Sequence, residues 1–448
     1  MAIFDCNKAS AADVNATQLS TAKVCEPVSG TIWQKEQPNE ITSFQADYTS
    51  VARNPISMDR AARKGTITDV EVAPGFQTDL TIGTAEYWIP PFLYSKWSGF
   101  KEMTGDVASG TITLDEPFVL PFEVIAKVNG QLKTISTAWA VTGIEDGPAT
   151  VLIVGAKPTI SFTVATGKLT ITGNTFDIPL NSQLFIKEQG FVRVREKLSA
   201  TEYIVDQFDI DQEIVDTTVD MYFSSFVSTV AQDSPLYEAT QLTFEARFNT
   251  DPVTYQYARA VQANQMTVNA PLSDKATVDM TFIADELQTS DSASPGLERV
   301  DYTLNEALNT VTNISRVRID SVDEKGLSTY MKDVTLTINN NAAGEKTLGN
   351  VGNTFTSLGD LEVTMNTETV MTDARVLQAI ENNATVSFTL ACKNNDGAVI
   401  FDIPTATISN GAKTLNRGEK VKIGTDLTGF LDDKHGYVLG VSLFRYLP

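Results

Sequence analysis

Apolar and polar residues alternate along much of this chain, with a period of two. Val334, Leu336 and Ile338 interleave with Asp333, Thr335 and Thr337, and Leu361, Val363 and Met365 resume the pattern after a long polar interval. That is the signature of half-buried strands joined as a hairpin, and Asn339, Asn340, Asn341, Gly344 and Gly349 supply its turn chemistry. A hairpin this long and polar at its tip cannot bury itself, so it is expected either to stand in solvent or to pair with a neighbouring copy.

A second alternating run, TITDVEVAPGFQTDLTI, places Ile67, Val70, Val72, Phe76, Leu80 and Ile82 at apolar positions and shifts parity at Ala73-Pro74-Gly75, which predicts a bulge or bend. The next segment gathers Trp88, Ile89, Phe92, Leu93 and Trp97 around Pro90-Pro91 and predicts a short helix entered at proline and docked on a core. Upstream, AADVNATQLSTAK reads as a short helix or an arm. Between 100 and 235, short runs separated by Asn129-Gly130, Asp146-Gly147-Pro148, Gly173-Asn174 and Gln189-Gly190 predict one or two small β-barrels or sandwiches. The stretch ELQTSDSASPGLERV is small, polar and closed by proline, the composition of a linker.

The organising feature is an internal repeat. Residues 242–282 overlay 386–425, setting Phe244 on Phe388, Tyr257 on Phe401, Leu272 on Leu415, Val278 on Val421 and Met280 on Ile423. Residues 65–97 overlay 349–382 more loosely at twice that offset. The helix TDARVLQAIEN, capped by Thr372 or Asp373 with Val376, Leu377 and Ile380 on one side, then stands where the first copy has YWIPPFLYSKW. The expected organisation is an N-terminal arm (1–40), a discontinuous first β domain (41–100 and 236–285), inserted β modules (101–235), a linker (286–300) and a second β domain (301–448).

Composition adds constraints. The 448 residues are 42% hydrophobic and 20% charged, which suits a folded, mainly β protein. The first residues, MAIFDCNKASAADV, contain no export signal, and no window approaches a membrane span. Cys6, Cys25 and Cys392 are odd in number and lack metal-site spacing. The single histidine, His435, sits in the turn-like DDKHGYV and reads as a solvated loop residue, which removes most imidazole-dependent catalysis. Nucleophile-elbow, zincin, P-loop and dinucleotide motifs are all missing, so neither an enzyme nor a cofactor is expected. Asp206, Asp209, Asp211 and Glu213 only partly match a calcium loop and read as a solvated acidic turn.

The net charge of −22 opposes binding to phosphates but suits a surface past which nucleic acid slides. Against that balance, Arg53, Arg60, Arg63 and Lys64 form a basic stretch, expected to meet acidic partners across a subunit interface.

The order of several segments carries a resemblance. KDVTLTINNNAAGEKTLGNVG, then DARVLQAIENNATVSFTLACKNNDGAVIFDIPTATISNG, with RNPISMDRAARKGTITDVEV and LTFEARFNTDPVTYQYARAVQANQMTV in the first half, resemble the tail tube proteins of long-tailed, non-contractile bacteriophages. The 166–208 stretch resembles the small β module such proteins carry between two tube domains. The likeness implies two tandem tube-type β-sandwich or barrel domains, each with a long hairpin and a short helix. It implies trimeric, pseudo-hexameric rings stacked into a tube that conducts double-stranded DNA, in a virion tail assembled in the host cytoplasm.

Other partners implied by the resemblance are tail terminator, tape-measure and distal tail proteins, with no membrane contact. On this reading Asp69, Glu71 and Glu362 line the lumen. Arg53, Arg60, Arg63, Lys64, Asn339, Asn340, Asn341, Glu345 and Lys346 make subunit or ring contacts. Alternatives are a β-rich adhesin or carbohydrate-binding module using Trp33 or Trp139 as an aromatic platform, or the tube of a tailocin, gene-transfer or secretion particle.

Overall fold

The computed structural model describes residues 17–445 apart from 54–62, 99, 107–110, 115–122, 129–130, 135–139, 143–148, 153–157, 174–177, 208–209, 211, 302–304, 322–329 and 373. For the strands between 100 and 152, and for Arg53 and Arg63, only the backbone is described. Arg60, Cys6, Trp139, Asp209, Asp211 and Asp373 lie outside the described residues.

Eight strands form one continuous antiparallel wall. In chain order they are β1 (Glu40–Ser43), β2 (Gly75–Asp79), β3 (Thr254–Ala270), β4 (Thr277–Ile283), β5 (Val334–Asn339), β6 (Glu362–Val370), β7 (Ala398–Thr414) and β8 (Lys422–Gly429). In space they run β1-β2-β4-β3-β5-β6-β8-β7. The alternation at 334–338 and 361–365 is realised as the β5–β6 hairpin, with Leu336 opposite Met365 and Ile338 opposite Val363.

The wall consists of two like halves. β1, β2, helix α1 (Ile82–Leu93), β3 and β4 recur as β5, β6, helix α2 (Arg375–Glu381), β7 and β8. The long strands β3 and β7 have the same length, and each leaves the wall partway to join an outer sheet. There the first half of β3 pairs with Leu242–Phe248 and Glu286–Ser290, and the first half of β7 pairs with Thr385–Lys393 and Gly440–Phe444.

The core lies between wall and outer sheets. In the first half Phe76, Trp88, Phe244 and Phe282 interlock, edge to face where Phe76 meets Trp88 and Phe244 meets Phe282 (centroids 4.8 Å apart) and stacked where Phe76 meets Phe282. Each such buried ring contributes about 2–3 kcal/mol from transfer alone. The second half is filled by Leu336, Met365, Phe388, Leu390, Phe401 and Leu427.

Several local expectations change. Helix α1 is not entered at proline. It starts eight residues earlier, where the Thr81 hydroxyl accepts from the Thr84 amide at 3.0 Å, and Pro90 and Pro91 fall in its last turn. Pro90 cannot donate to the Glu86 carbonyl, and the Trp97 indole donates there instead at 2.9 Å. Helix α2 is preceded by Ala374 and has no side-chain cap bond. Within the segment expected as an arm or helix, Gln18–Ala22 is a strand paired with Leu242–Phe248. The linker-like stretch is strand at both ends: Glu286–Ser290 pairs with β3, and Glu298–Val300 with Ile32–Lys35.

Residues 100–152 contribute two three-stranded sheets, and 159–223 a seven-stranded sheet with its own core of Ile160, Phe162, Leu169, Ile171, Val192, Val194 and Tyr203. The seven-stranded sheet is inserted in the first half of the sequence but packs on the second half, where Phe185, Phe191 and Tyr222 meet Ala391, Ala398, Ile400 and Phe444.

Candidate functional surface

One face of the wall is covered by the core; the other is open and polar. Along it stand Gln77, Asp79, Thr277, Asp279, Thr281, Gln265, Thr267, Asn269, Thr335, Thr337, Asn339, Glu362, Thr364, Asn366, Glu368, Asp426 and Thr428, while their neighbours in sequence point into the core. Their side chains form a ladder across strands. Gln77 donates to Asp279 at 2.8 Å, Asn269 donates to the other Asp279 oxygen at 2.6 Å, and Thr335 donates to Asn269 at 3.3 Å. Each rung fixes a short side chain flat against the wall, leaving a surface of carboxylates, amides and hydroxyls.

The junction of the two halves is the pairing of β3 with β5, from Gln265 opposite Asn339 to Ala270 opposite Val334. The corresponding edges at the ends of the wall carry no partner among the described residues: β1 pairs only with β2, and beyond Thr407 β7 pairs only with β8.

The second hairpin reaches across this junction onto the first half. Asn340 is buried, and its amide donates to the carbonyls of Phe92 at 3.0 Å and Asn264 at 3.2 Å. It anchors the hairpin root and leaves no surface for a neighbouring copy. Asn341 takes a positive φ of 46° and donates to the Asp360 carbonyl at 2.8 Å; Asn339 donates to Asn341 at 3.0 Å. Glu345 pairs with Phe355 in a two-stranded tip. Farther out, the Lys346 ammonium lies 2.5 Å from Asp69 and 3.1 Å from Glu71, and these carboxylates raise its pKa. Two expected lumen residues and one expected contact residue thus form a single clamp. The clamp lies on the ribbon Ala46–Arg53/Arg63–Val72, where Arg53 stands opposite Arg63 and Lys64 is exposed.

Sequence reasoning missed the buried charges. Asp402 on β7 is fully buried and receives Arg195 from the inserted sheet at 2.8 and 3.2 Å and the Tyr437 hydroxyl at 2.8 Å. Burial pushes its pKa up, but Arg193 and Arg195 outweigh that and hold it well below the carboxylate range. Asp206 is not part of a solvated turn; it bridges Arg195 and Arg316, both at 3.4 Å. Glu213 accepts from the Val164 amide at 2.9 Å. His435 is half-buried, 6.2 Å from the Tyr437 ring, with its pKa lowered by burial and then by Arg195. In the first half, buried Glu245 likewise accepts from Arg299 at 2.6 and 2.9 Å and from the Tyr257 hydroxyl at 2.9 Å.

Trp33 is fully buried against Tyr257 and offers no platform for a sugar. A cavity of about 330 Å³ is lined by Lys23, Gln34, Glu36, Gly83, Glu86, Tyr87 and Trp97. Its Glu36 accepts from Thr21 at 2.7 Å and has its pKa raised to about 7 by burial. Among the described residues no group of three His, Cys, Asp or Glu is placed to hold a metal ion, and no helix is long and apolar enough to cross a membrane.

Two β halves joined edge to edge form one wall with an open polar face, and its two end strands have no outer partner among the described residues. The sequence profile described as phage tail tube protein matches residues 16–426, and the chain belongs to that family. No curated protein matches it. It is accordingly a structural tail tube component, with its place in the virion tail.

Proposed function

We propose that three copies close into a ring by repeating between chains the contact that joins the halves within one chain. The outer half of β7, residues 408–414, pairs with β1 of the next copy as the outer half of β3 pairs with β5. Three walls of eight strands then form one barrel without edges. The observation that carries this reading is the β3–β5 junction beside two unpartnered edges of the same design.

The bulky outer sheets, α1 and the seven-stranded sheet lie on the covered face, which puts the open polar face inside. There Asp279, Glu368 and Asp426 repel phosphate and amides and hydroxyls make up most of the rest, so double-stranded DNA passes without being held. Lys422 offsets part of the Glu368 charge at 3.4 Å. Asp69 and Glu71 are assigned to the hairpin clamp, and Glu362 to the edge of the open face. Rings stack head to tail by a contact that does not close, giving a tube whose ends meet terminator, distal and tape-measure proteins in a particle assembled in the host cytoplasm.

Negative-stain microscopy across a concentration series, with the mass of the smallest oligomer, tests the reading. Annular trimers or hollow tubes are expected; a species that stays monomeric at all concentrations overturns it.

A further inference from the structure

The two ends of the wall carry opposite open charge, and both sets of open charges fall in the second half. Ladder registers define the ends. Asn339 pairs with Glu362 at the root of the second hairpin and Thr364 pairs with Thr428, so Phe430 and Leu431 leave β8 at the hairpin end. Val370 pairs with Lys422 and Ala270 with Val334, which puts the β3–β4 and β7–β8 turns together at the opposite end.

Those two turns share one design. Asn269 pairs with Thr277 and Thr414 with Lys422, so the connections have the same length, and the register sets Leu272 on Arg417 rather than on Leu415, Ser273 on Gly418 and Lys275 on Lys420. Ser273 and Gly418 both take a positive φ, 60° and 88°. In the first turn Lys275 is held 2.7 Å from Asp79. Asp79 pairs with Thr277 as Val370 pairs with Lys422, so the second turn has a valine where the first has that carboxylate. Arg417 and Lys420 are exposed, and among the described residues neither meets a carboxylate. Glu419 in the same turn is taken by Lys422 at 3.1 Å.

The hairpin end shows the reverse. The register that sets Asp79 on Val370 carries Asp69 onto Asp360 and Glu71 onto Glu362. Asp69 and Glu71 are held by Lys346, whereas Asp360 and Glu362 are exposed and meet no cation among the described residues. Apolar side chains accompany each set. Tyr330, whose carbonyl accepts from the Val370 amide at 2.9 Å, and Leu415 are exposed at the turn end; Phe430 and Leu431 are exposed at the hairpin end. Open cations with an apolar pair at one end, and open carboxylates with an apolar pair at the other, complement copies of the same chain stacked in one direction.

We propose that the turn end of one ring seats on the hairpin end of the next, with Arg417 and Lys420 meeting Asp360 and Glu362 of a copy in that ring and Tyr330 and Leu415 covering its Phe430 and Leu431. This rests on the ring reading above and adds what fixes the polarity of the stack. Two turn ends repel each other, as do two hairpin ends, so rings join only head to tail.

Two charge reversals test the contact, Arg417→Glu/Lys420→Glu and Asp360→Lys/Glu362→Lys. All four positions are exposed, so neither variant disturbs the core, and far-ultraviolet dichroism checks the fold. Rings and tubes are separated by sedimentation and identified by negative-stain microscopy. Each variant alone is expected to form rings but to need about a tenfold higher concentration than wild type to form tubes, because like charges then face each other. Mixing preformed rings of the two variants in equal amounts should restore tubes near the wild-type concentration, since alternating rings again bring opposite charges together. A variant that forms tubes like wild type, a variant that no longer forms rings, or a mixture that restores nothing overturns the stacking contact, while wild-type rings keep the ring reading. A wild-type chain that forms neither rings nor tubes overturns both.

Discussion

The outer halves of β3 and β7 have the same design and opposite surroundings. In β3, Met266 and Val268 face Met280 and Val278 across β4 and are buried, because β5 closes the other side. In β7, Asn410 and Lys413 face Thr425 and Ile423 across β8 and are exposed, because no strand among the described residues closes that side. The first edge is filled during folding and can be apolar. The second stands open in the single chain, and polar or charged residues line it, as exposed sheet edges require. Sequence differences between the two halves therefore mark which edge is closed within the chain and which, on the proposed ring reading, is kept for assembly.

The largest effect is expected where that contrast is inverted. Val268→Asp places a charge between three strands and should cost about 4 kcal/mol or more, read as a fall in the denaturation midpoint. Its ladder counterpart, Lys413→Asp, should stay within about 0.5 kcal/mol of wild type, because the position is open in the free chain. Equal losses in the two variants would break the comparison.

The alternation that marks β5 and β6 was legible because one face of each strand is buried, and any period-two pattern reports that burial directly. The repeat was legible for the same reason: Phe244 and Phe388, or Tyr257 and Phe401, fill corresponding core positions. The open wall was not legible, because Thr267, Asn269 and Asp279 look the same in sequence whether they line a channel or an outer surface. Pairings made by backbone alone were hidden too, which is why the polar ends of 286–300 resembled a linker. Arg195 and Asp402 are 207 residues apart, a separation no local pattern spans. Asn340 was drawn into the contact set by its neighbours, although its amide serves the hairpin root. The Lys346 clamp contained three singled-out residues, yet their mutual contact depends on how the halves join.

A second, smaller effect concerns how each half holds its buried acid. Asp402→Ala leaves Arg193 and Arg195 without their shared carboxylate and should cost about 3–5 kcal/mol. It should also loosen the seven-stranded sheet from the second half, seen as faster amide exchange at Phe185, Phe191 and Tyr222. Loss of stability without loosened exchange would show that the ion pair serves the second half alone and does not pin the insert.

The smallest effect separates the halves by pH. Glu36 in the first half has a folded pKa of about 7, raised by burial from 4.5. Between those values the folded chain binds more protons than the unfolded one, so stability is greatest below about pH 4.5 and falls until the pH passes about 7. The decline over that interval amounts to about 3 kcal/mol. Asp402 is shifted the other way, and its contribution is already complete across this interval. Glu36→Gln should therefore flatten the decline in denaturation midpoint between pH 5 and 7.5, whereas Asp402→Asn lowers the curve and keeps its slope. If the slope survives in Glu36→Gln, the carboxyl beside Thr21 and Trp88 is not the group that titrates, and the pH response cannot be assigned to the first half.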